Sequence, residues 1–198
     1  MTLSEALAGF GMDRENMAVI TVAAEGLDTD SRMLMVCMRR GSDEAPFVRY
    51  ISGGNPSIGR EHTLINPFEH AARAMRASDV REELNGRLRG VQLLAGHNAA
   101  KFVRPMLARQ MPLLQEPRWL DTMHAARAIL TGLDAGRALM NSRSPEELTD
   151  RLKDASYDRG RPWDLASLEG MECGDVTAAE RNLTRTWKLL DRLLTHEV

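Results

Sequence analysis

The 198-residue chain reads as an α/β domain in which a mixed sheet carries helices on both faces. Three observations predict this. Two β-rich apolar runs, Met17–Ala24 (MAVITVAA) and Arg32–Arg40 (RMLMVCMRR), flank the turn-rich stretch EGLDTDS, as the strands of a hairpin do. In the second run both alternating sets are apolar, Met33, Met35 and Cys37 on one side and Leu34, Val36 and Met38 on the other, so both faces need cover. Further along, short apolar runs alternate with stretches of helical spacing, which favours strands added through helical crossovers.

Each element follows in order. Phe47–Ser52 (FVRYIS) is a third strand, giving a three-stranded antiparallel start, and Gly53–Ile65 is a loop. Asn66-Pro67 opens a helical stretch that runs to about Leu88, with a break expected near Ser78-Asp79. Val91–Ala95 is a strand, Gly96-His97-Asn98 a turn, and Ala99–Met111 has helical spacing. A short strand at Arg118–Leu120 leads into a helix from about Thr122. Ser144-Pro-Glu-Glu147 is a capping box, and 154–162 is a polar loop. The final helix, roughly Val176–His196, places Val176, Ala179, Leu183, Thr186, Leu190 and Leu193 on one stripe. The order is βββαβαβα with a helical or loop insertion at about 135–163. One domain over 1–198 is expected, with 1–16 as an N-terminal extension.

The chain has 26 basic and 28 acidic residues, a formal charge of −2, so it lacks the overall basic excess of many nucleic-acid binders; a local basic face is not excluded. Cys37 and Cys173 stand far apart without a CxxC or a Cys/His cluster, which suits a reduced chain without a zinc site. MTLSEALAGFGMDRENM has acids and no long apolar core, unlike a signal peptide or an anchor, so a cytoplasmic location is expected.

Asn98-Ala-Ala-Lys-Phe102-Val103-Arg-Pro105-Met-Leu107 has the spacing of the middle motif of DEDD 3′–5′ exonucleases, and resembles most the tyrosine-containing branch that includes family B polymerase proofreading domains. Four further segments are similar to that family in the same order. Val19-Ile-Thr21-Val22-Ala23 through Leu27 resembles its first acidic strand, Trp119–Arg127 its strand-to-helix pattern, Asp164–Gly174 the element that precedes its last helix, and Asn182–Trp187 the terminal motif on that helix. The resemblance covers about 17–194 and implies a ribonuclease H-like fold.

The resemblance also implies where chemistry would sit. In the family, carboxylates hold two divalent ions that activate water and steady the leaving oxygen, and hard oxygen donors suit magnesium or manganese. Those acids fall here at Thr21, Ala23, Val103 and Asn182, and the tyrosine at Ala178, or near Thr177 on the histidine-containing pattern. These side chains cannot neutralise two dications, so a catalytically degenerate protein without a cofactor is expected. The alternative is an active exonuclease with a rebuilt Mg2+ or Mn2+ site, for which Glu25, Asp28 and Asp30 are the nearest acids, although a hairpin connection is polar in any case. Asp121 reads as a strand-end or helix-cap acid, Asp175 as an N-cap, Glu180 as a helix acid without a partner acid, and His124 as a core residue.

Binding is then the role to expect, as an accessory or regulatory factor, with single-stranded nucleic acid or a protein as partner. Lys101, Arg104 and Arg109 fall on the middle helix, and Arg181, Arg185 and Lys188 on the last, helices that flank the substrate cleft in the family. His97 and Asn98 either line that groove with Lys101, Arg104, Arg181 and Arg185 or satisfy the start of the helix. The Gly53–Gly59 stretch lacks the Lys-Ser/Thr of a phosphate loop, and no GxSxG serine is present. The twelve methionines read as core, or as an adaptable contact surface.

Overall fold

A computed structural model describes residue 8 and residues 13–41, 43, 45–58, 60–130 and 177–195. The expected insertion at 135–163, the Ser144–Glu147 capping box, the 154–162 loop and Asp175 lie outside the described residues.

Five strands form one mixed sheet: β1 (Met17–Ala24), β2 (Met33–Arg40), β3 (Phe47–Tyr50), β4 (Leu93–Gly96) and β5 (Arg118–Asp121), in the order β3-β2-β1-β4-β5. β1–β2 and β2–β3 are antiparallel, while β1–β4 and β4–β5 are parallel. This is the mixed α/β architecture of a ribonuclease H-like fold, an antiparallel start extended by parallel strands.

The described helices are α1 (Arg60–Thr63), α2 (Pro67–Arg73), α3 (Ala77–Arg87), α4 (Arg104–Gln110), α5 (Thr122–Leu130) and α6 (Ala178–Thr195). They divide the core in two. On one face Met17, Val19, Ala23, Met35 and Cys37 pack with Ala125 and Ala126 of α5 and Ala179, Leu183, Trp187 and Leu190 of α6. On the other Ala18, Ile20, Val36 and Met38 pack with Val80 and Leu84 of α3 and Met106 and Leu107 of α4. The all-apolar β2 is thereby buried on both sides, as its sequence requires.

One detail differs from strict alternation. The β1–β2 register runs Ala23↔Met35 and then Ala24↔Met33, a bulge that leaves Leu34 as the extra residue. Leu34 packs with Met35 and Cys37, and Met33 joins Val36 and Met38 on the opposite face. Because the side-chain period is two, one inserted residue reverses the facing of everything before it.

Other boundaries shift for tertiary reasons. The 53–65 loop contains the short α1. The helical stretch after Asn66 breaks at 74–76 instead of Ser78-Asp79, because Met75 forms a parallel bridge with Ile51, giving Ser52 N–H to Met75 O 2.8 Å and Met75 N–H to Tyr50 O 3.0 Å. The middle helix opens with a wide π turn over Ala99–Val103 before α4.

α6 carries the predicted stripe, with Ala179, Leu183, Thr186, Leu190 and Leu193 all buried. It runs antiparallel to β1: its first turn lies at Thr21, and Asp191, three turns on, pairs at 2.8 Å with Arg14, just ahead of β1. Between them Trp187 lies under the guanidinium groups of Arg14 and Arg39, each 5.3 Å from the ring centroid. Among the described residues no helix is long and apolar enough to cross a membrane.

Candidate functional site

The positions singled out by the motif spacing gather around the carboxyl end of β1, approached from the two faces of the sheet. Thr21, 5 % exposed, faces α6 and donates its hydroxyl to the Ala179 carbonyl at 2.9 Å. The first turn of α6 is fixed there by a capping box. Thr177 N–H and Oγ1 both donate to Glu180 Oε2, at 2.9 and 2.8 Å, and Glu180 N–H returns to Thr177 Oγ1 at 3.3 Å. Thr177 Oγ1 also lies 3.3 Å from Met35 Sδ. Thr-Ala-Ala-Glu is a capping signature in its own right, and Thr177 caps the start of α6.

Cys37, the β2 partner of Thr21, is buried with them. Burial pushes its thiol far above the ordinary range and the Glu180 carboxylate adds to this, while a hydrogen bond with Thr21 acts the other way. Tyr50 is similarly pushed up to about 12, first by burial and then by Glu69 and Glu180, with Arg73 opposing.

On the opposite face, Gly96 ends β4 where the chain must lie directly on β1. A Cβ at Gly96 would sit 3.3 Å from Ile20 O, 3.2 Å from Ala99 Cβ and 3.8 Å from Val103 Cγ2. Asn98 follows in the left-handed region, φ 56°, and makes no side-chain capping bond. The cap expected of Asn98 comes instead from Asp121, 2 % exposed. Its Oδ2 accepts Ala100 N–H at 3.0 Å, and its Oδ1 accepts Met123 N–H at 3.0 Å and His124 N–H at 3.4 Å. One carboxylate thus satisfies the starts of two helices, with His124 Nδ1 3.6 Å away. His97 Nδ1 lies 3.2 Å from Thr122 Oγ1.

The residues that the resemblance would set at metal positions are not arranged to hold two divalent ions. Thr21 has committed its hydroxyl to a carbonyl, Ala23 and Val103 are buried hydrocarbon, Ala178 is half-buried, and Asn182 is exposed. The neighbouring acids have structural work: Glu180 closes the capping box, and Glu25 Oε1 accepts Asn55 N–H. Among the described residues no group of three or more His, Cys, Asp or Glu side chains is placed to hold a metal.

The basic candidates fall into two sets. Exposed Lys101 and half-buried Arg104 belong to the π turn and α4; Arg181 and Arg185, both half-buried, belong to α6. The two helices cover opposite faces of the sheet, so these side chains do not form one continuous helix face. Arg104 pairs with Glu116 at 2.8 Å, and Arg109 with Asp30. What the sequence reading did not single out is a set of exposed apolar residues, Leu27, Ile58, Leu64 and Phe68, on the connections that follow β1 and β3. In the sequence Leu27, Ile58 and Leu64 are marked by their polar loop neighbours, and Phe68 by its place in the first turn of α2.

The chain matches no family model and no curated protein. Its fold matches solved structures of exonuclease I. One is the zinc-bound Escherichia coli exonuclease I–single-stranded DNA complex, at TM-score 0.57 and 18 % identity, over 90 % of this chain and 42 % of that one. Another is a moderately thermophilic exonuclease I from Methylocaldum szegediense, at TM-score 0.57 and 14 % identity, over 90 % and 40 %. A third is E. coli exonuclease I with a dA16 oligonucleotide, at TM-score 0.52 and 16 % identity, over 90 % and 42 %. The chain thus spans about two-fifths of the length of these proteins, and the likeness establishes an exonuclease-like, ribonuclease H-like fold.

Proposed function

We propose that this domain is a catalytically degenerate relative of the DEDD 3′–5′ exonucleases that acts by binding single-stranded nucleic acid, as an accessory or regulatory factor. The observation that carries the reading is the closure of the β1 end. Where an acid would receive a metal, the Thr21 hydroxyl is bonded to Ala179, and the Thr177–Glu180 box seals the adjoining helix turn. Hydrolysis through two ions needs convergent carboxylates, and the side chains here make a closed, hydrogen-bonded seam. Two of the structures that share the fold are exonuclease I with single-stranded DNA and with dA16, which supports retention of a strand-binding surface. The spacing of Asn98, Phe102, Pro105 and Leu107 supports a place beside the tyrosine-containing branch, and a single domain over 1–198 belongs to the same reading. His97, Asn98, Lys101, Arg104, Arg181 and Arg185 are the proposed contacts around the β1 end, Lys101 foremost because it is exposed.

The test runs two assays on one labelled single-stranded oligonucleotide. Fluorescence anisotropy should show binding that weakens as salt rises, since phosphate contacts release counterions. Denaturing electrophoresis with added magnesium or manganese should show the oligonucleotide uncut. Metal-dependent shortening that a chelator abolishes would overturn the degenerate reading in favour of a rebuilt metal site. Absence of binding at low salt would overturn the nucleic-acid reading and leave a protein partner.

A further inference from the structure

We propose that Arg14, Arg39, Trp187 and Asp191 form a salt-sensitive clasp that sets how often α6 lifts from the sheet, a conformational device that does not depend on what the domain binds. Polar contacts hold the helix at both of its ends. Its first turn meets Thr21 at the seam, and Asp191, about 18 Å further along the axis than Ala179, meets Arg14 at 2.8 Å.

The sheet side of the clasp is firmly built. Arg14 belongs to the short turn Arg14–Asn16 ahead of β1, where Asp13 Oδ1 accepts Asn16 N–H at 3.0 Å. Asn16 O accepts Gln92 N–H at 2.8 Å, and Glu15 O accepts from Arg40 Nε at 2.9 Å. The end of β2 lies directly on this turn, since a Cβ at Gly41 would collide with the Arg14 carbonyl. Arg39, opposite Val19 of β1, reaches α6 from the neighbouring strand.

The helix side carries Trp187, 5 % exposed, and Asp191 one turn later on the same face. Arg14 spans both, its guanidinium over the ring and paired with the carboxylate. Arg39 lies over the same ring, but among the described residues it meets no carboxylate and its Nε is buried without an acceptor. Of the other acids nearby, Asp13 is spent on Asn16 N–H and Asp43 Oδ2 accepts Arg40 N–H at 3.2 Å. Glu15 is exposed on the turn, and half-buried Lys188 follows Trp187. Two cations therefore share one indole, and the carboxylate bonded to one of them, Asp191, offsets their mutual repulsion.

Loss of that single charge turns the clasp from attractive to repulsive. The Arg14 and Asp191 side chains keep 57 % and 37 % of their surface exposed, so dissolved salt reaches them. Lifting α6 breaks the Thr21–Ala179 bond at the far end and uncovers Met17, Val19 and Cys37. Ionic strength thereby regulates access to this face of the sheet.

Cys37, fully buried under α6, is the reporter. The full chain is treated with N-ethylmaleimide under native conditions, and modification of Cys37 is read by peptide mass mapping, which separates it from Cys173. Asp191→Asn should label Cys37 about fivefold faster than the wild type, the scale of one exposed ion pair with a cation–π contact. Added salt should speed labelling of the wild type, by weakening Arg14–Asp191, and slow it in Asp191→Asn, by screening Arg14 from Arg39. Arg39→Met in the Asp191→Asn background removes one of the two cations and keeps an unbranched side chain at the ring, so it should return the rate toward that of the wild type. Labelling should also depend on urea less steeply than global unfolding does, because lifting one helix exposes less surface. The proposal is overturned if labelling follows urea with the full slope of global unfolding, since α6 then does not lift by itself. It is equally overturned if Asp191→Asn labels at the wild-type rate or keeps the wild-type direction of salt dependence.

Discussion

The Thr21 hydroxyl and the Ala179 carbonyl, 158 residues apart in sequence, meet at 2.9 Å in a buried setting, and this bond joins the first strand to the last described helix. It specifies a threonine by chemistry: the position needs a donor, and a carboxylate has none at neutral pH.

Thr21→Val, nearly isosteric, is therefore expected to cost about 0.5–1.5 kcal/mol, the net worth of one buried hydrogen bond whose acceptor, a carbonyl in the first turn of α6, keeps its own helix partner. Thr21→Asp should be worse, more than about 3 kcal/mol, since an unpaired carboxylate would be buried against a carbonyl oxygen with Glu180 near. Urea denaturation of the three proteins measures both. An aspartate variant as stable as the wild type would mean that the seam opens freely.

Asp121→Ala should be among the most destabilising single changes in the chain, about 3 kcal/mol, because one carboxylate accepts from Ala100, Met123 and His124 backbone N–H groups. Asp121→Asn should recover part of that loss, as the amide oxygen still caps one helix. Chemical denaturation gives the order wild type, Asn, Ala; a different order would show that the charge matters more than the acceptors.

The capping box predicts a paired effect. Thr177→Ala and Glu180→Ala should each destabilise by about 1 kcal/mol, and the double variant by clearly less than the sum, since each residue's contribution depends on the other. Strict additivity in a double-mutant cycle would show that the two side chains act separately.

Tyr50 sets a pH limit. Its pKa is raised from 10.0 to about 12 by burial and by Glu69 and Glu180. Stability linked to it is thus fully present below pH 10 and lost as pH climbs toward 12, by about 2 kcal/mol. Cys37, also raised, acts in the same direction. Absorbance titration should show one tyrosine ionising well above the ordinary range, and Tyr50→Phe should remove that transition and flatten the alkaline loss. A Tyr50 that ionises normally would mean that the ring is accessible to water.

Much of the fold was legible because local rules and tertiary needs agree. β1 is framed as MAVITVAA suggests, α6 follows its three-and-four spacing, and the all-apolar β2 announces cover on both faces. The failures lie where a distant partner decides. The exchange of faces between Met33 and Leu34 depends on a bulge opposite Ala23–Ala24, and the break at 74–76 depends on Met75 bridging to Ile51. Likewise, Asp121 caps a turn twenty-one residues earlier, a pairing that no local pattern encodes. At the candidate site, the seam of Thr21, Ala179, Thr177 and Glu180 needed coordinates, since Thr177-Ala-Ala-Glu180 declares a helix start without revealing what it rests on. The exposed ring of Phe68 was hidden for the opposite reason: its exposure is a fact about what does not touch it.

The position of α6 also bears on the order in which the protein is made. β1, β2 and β3 are synthesised first and can pair at once, yet Met17, Val19 and Cys37 await Leu183, Trp187 and Leu190, which leave the ribosome after some 140 further residues have been added. For that interval one side of a finished hairpin sheet is bare hydrocarbon, the kind of surface that invites aggregation. The nascent chain is therefore expected to depend on chaperone shelter until its last described helix arrives, and truncation before Ala178 should yield aggregates in place of a smaller folded domain.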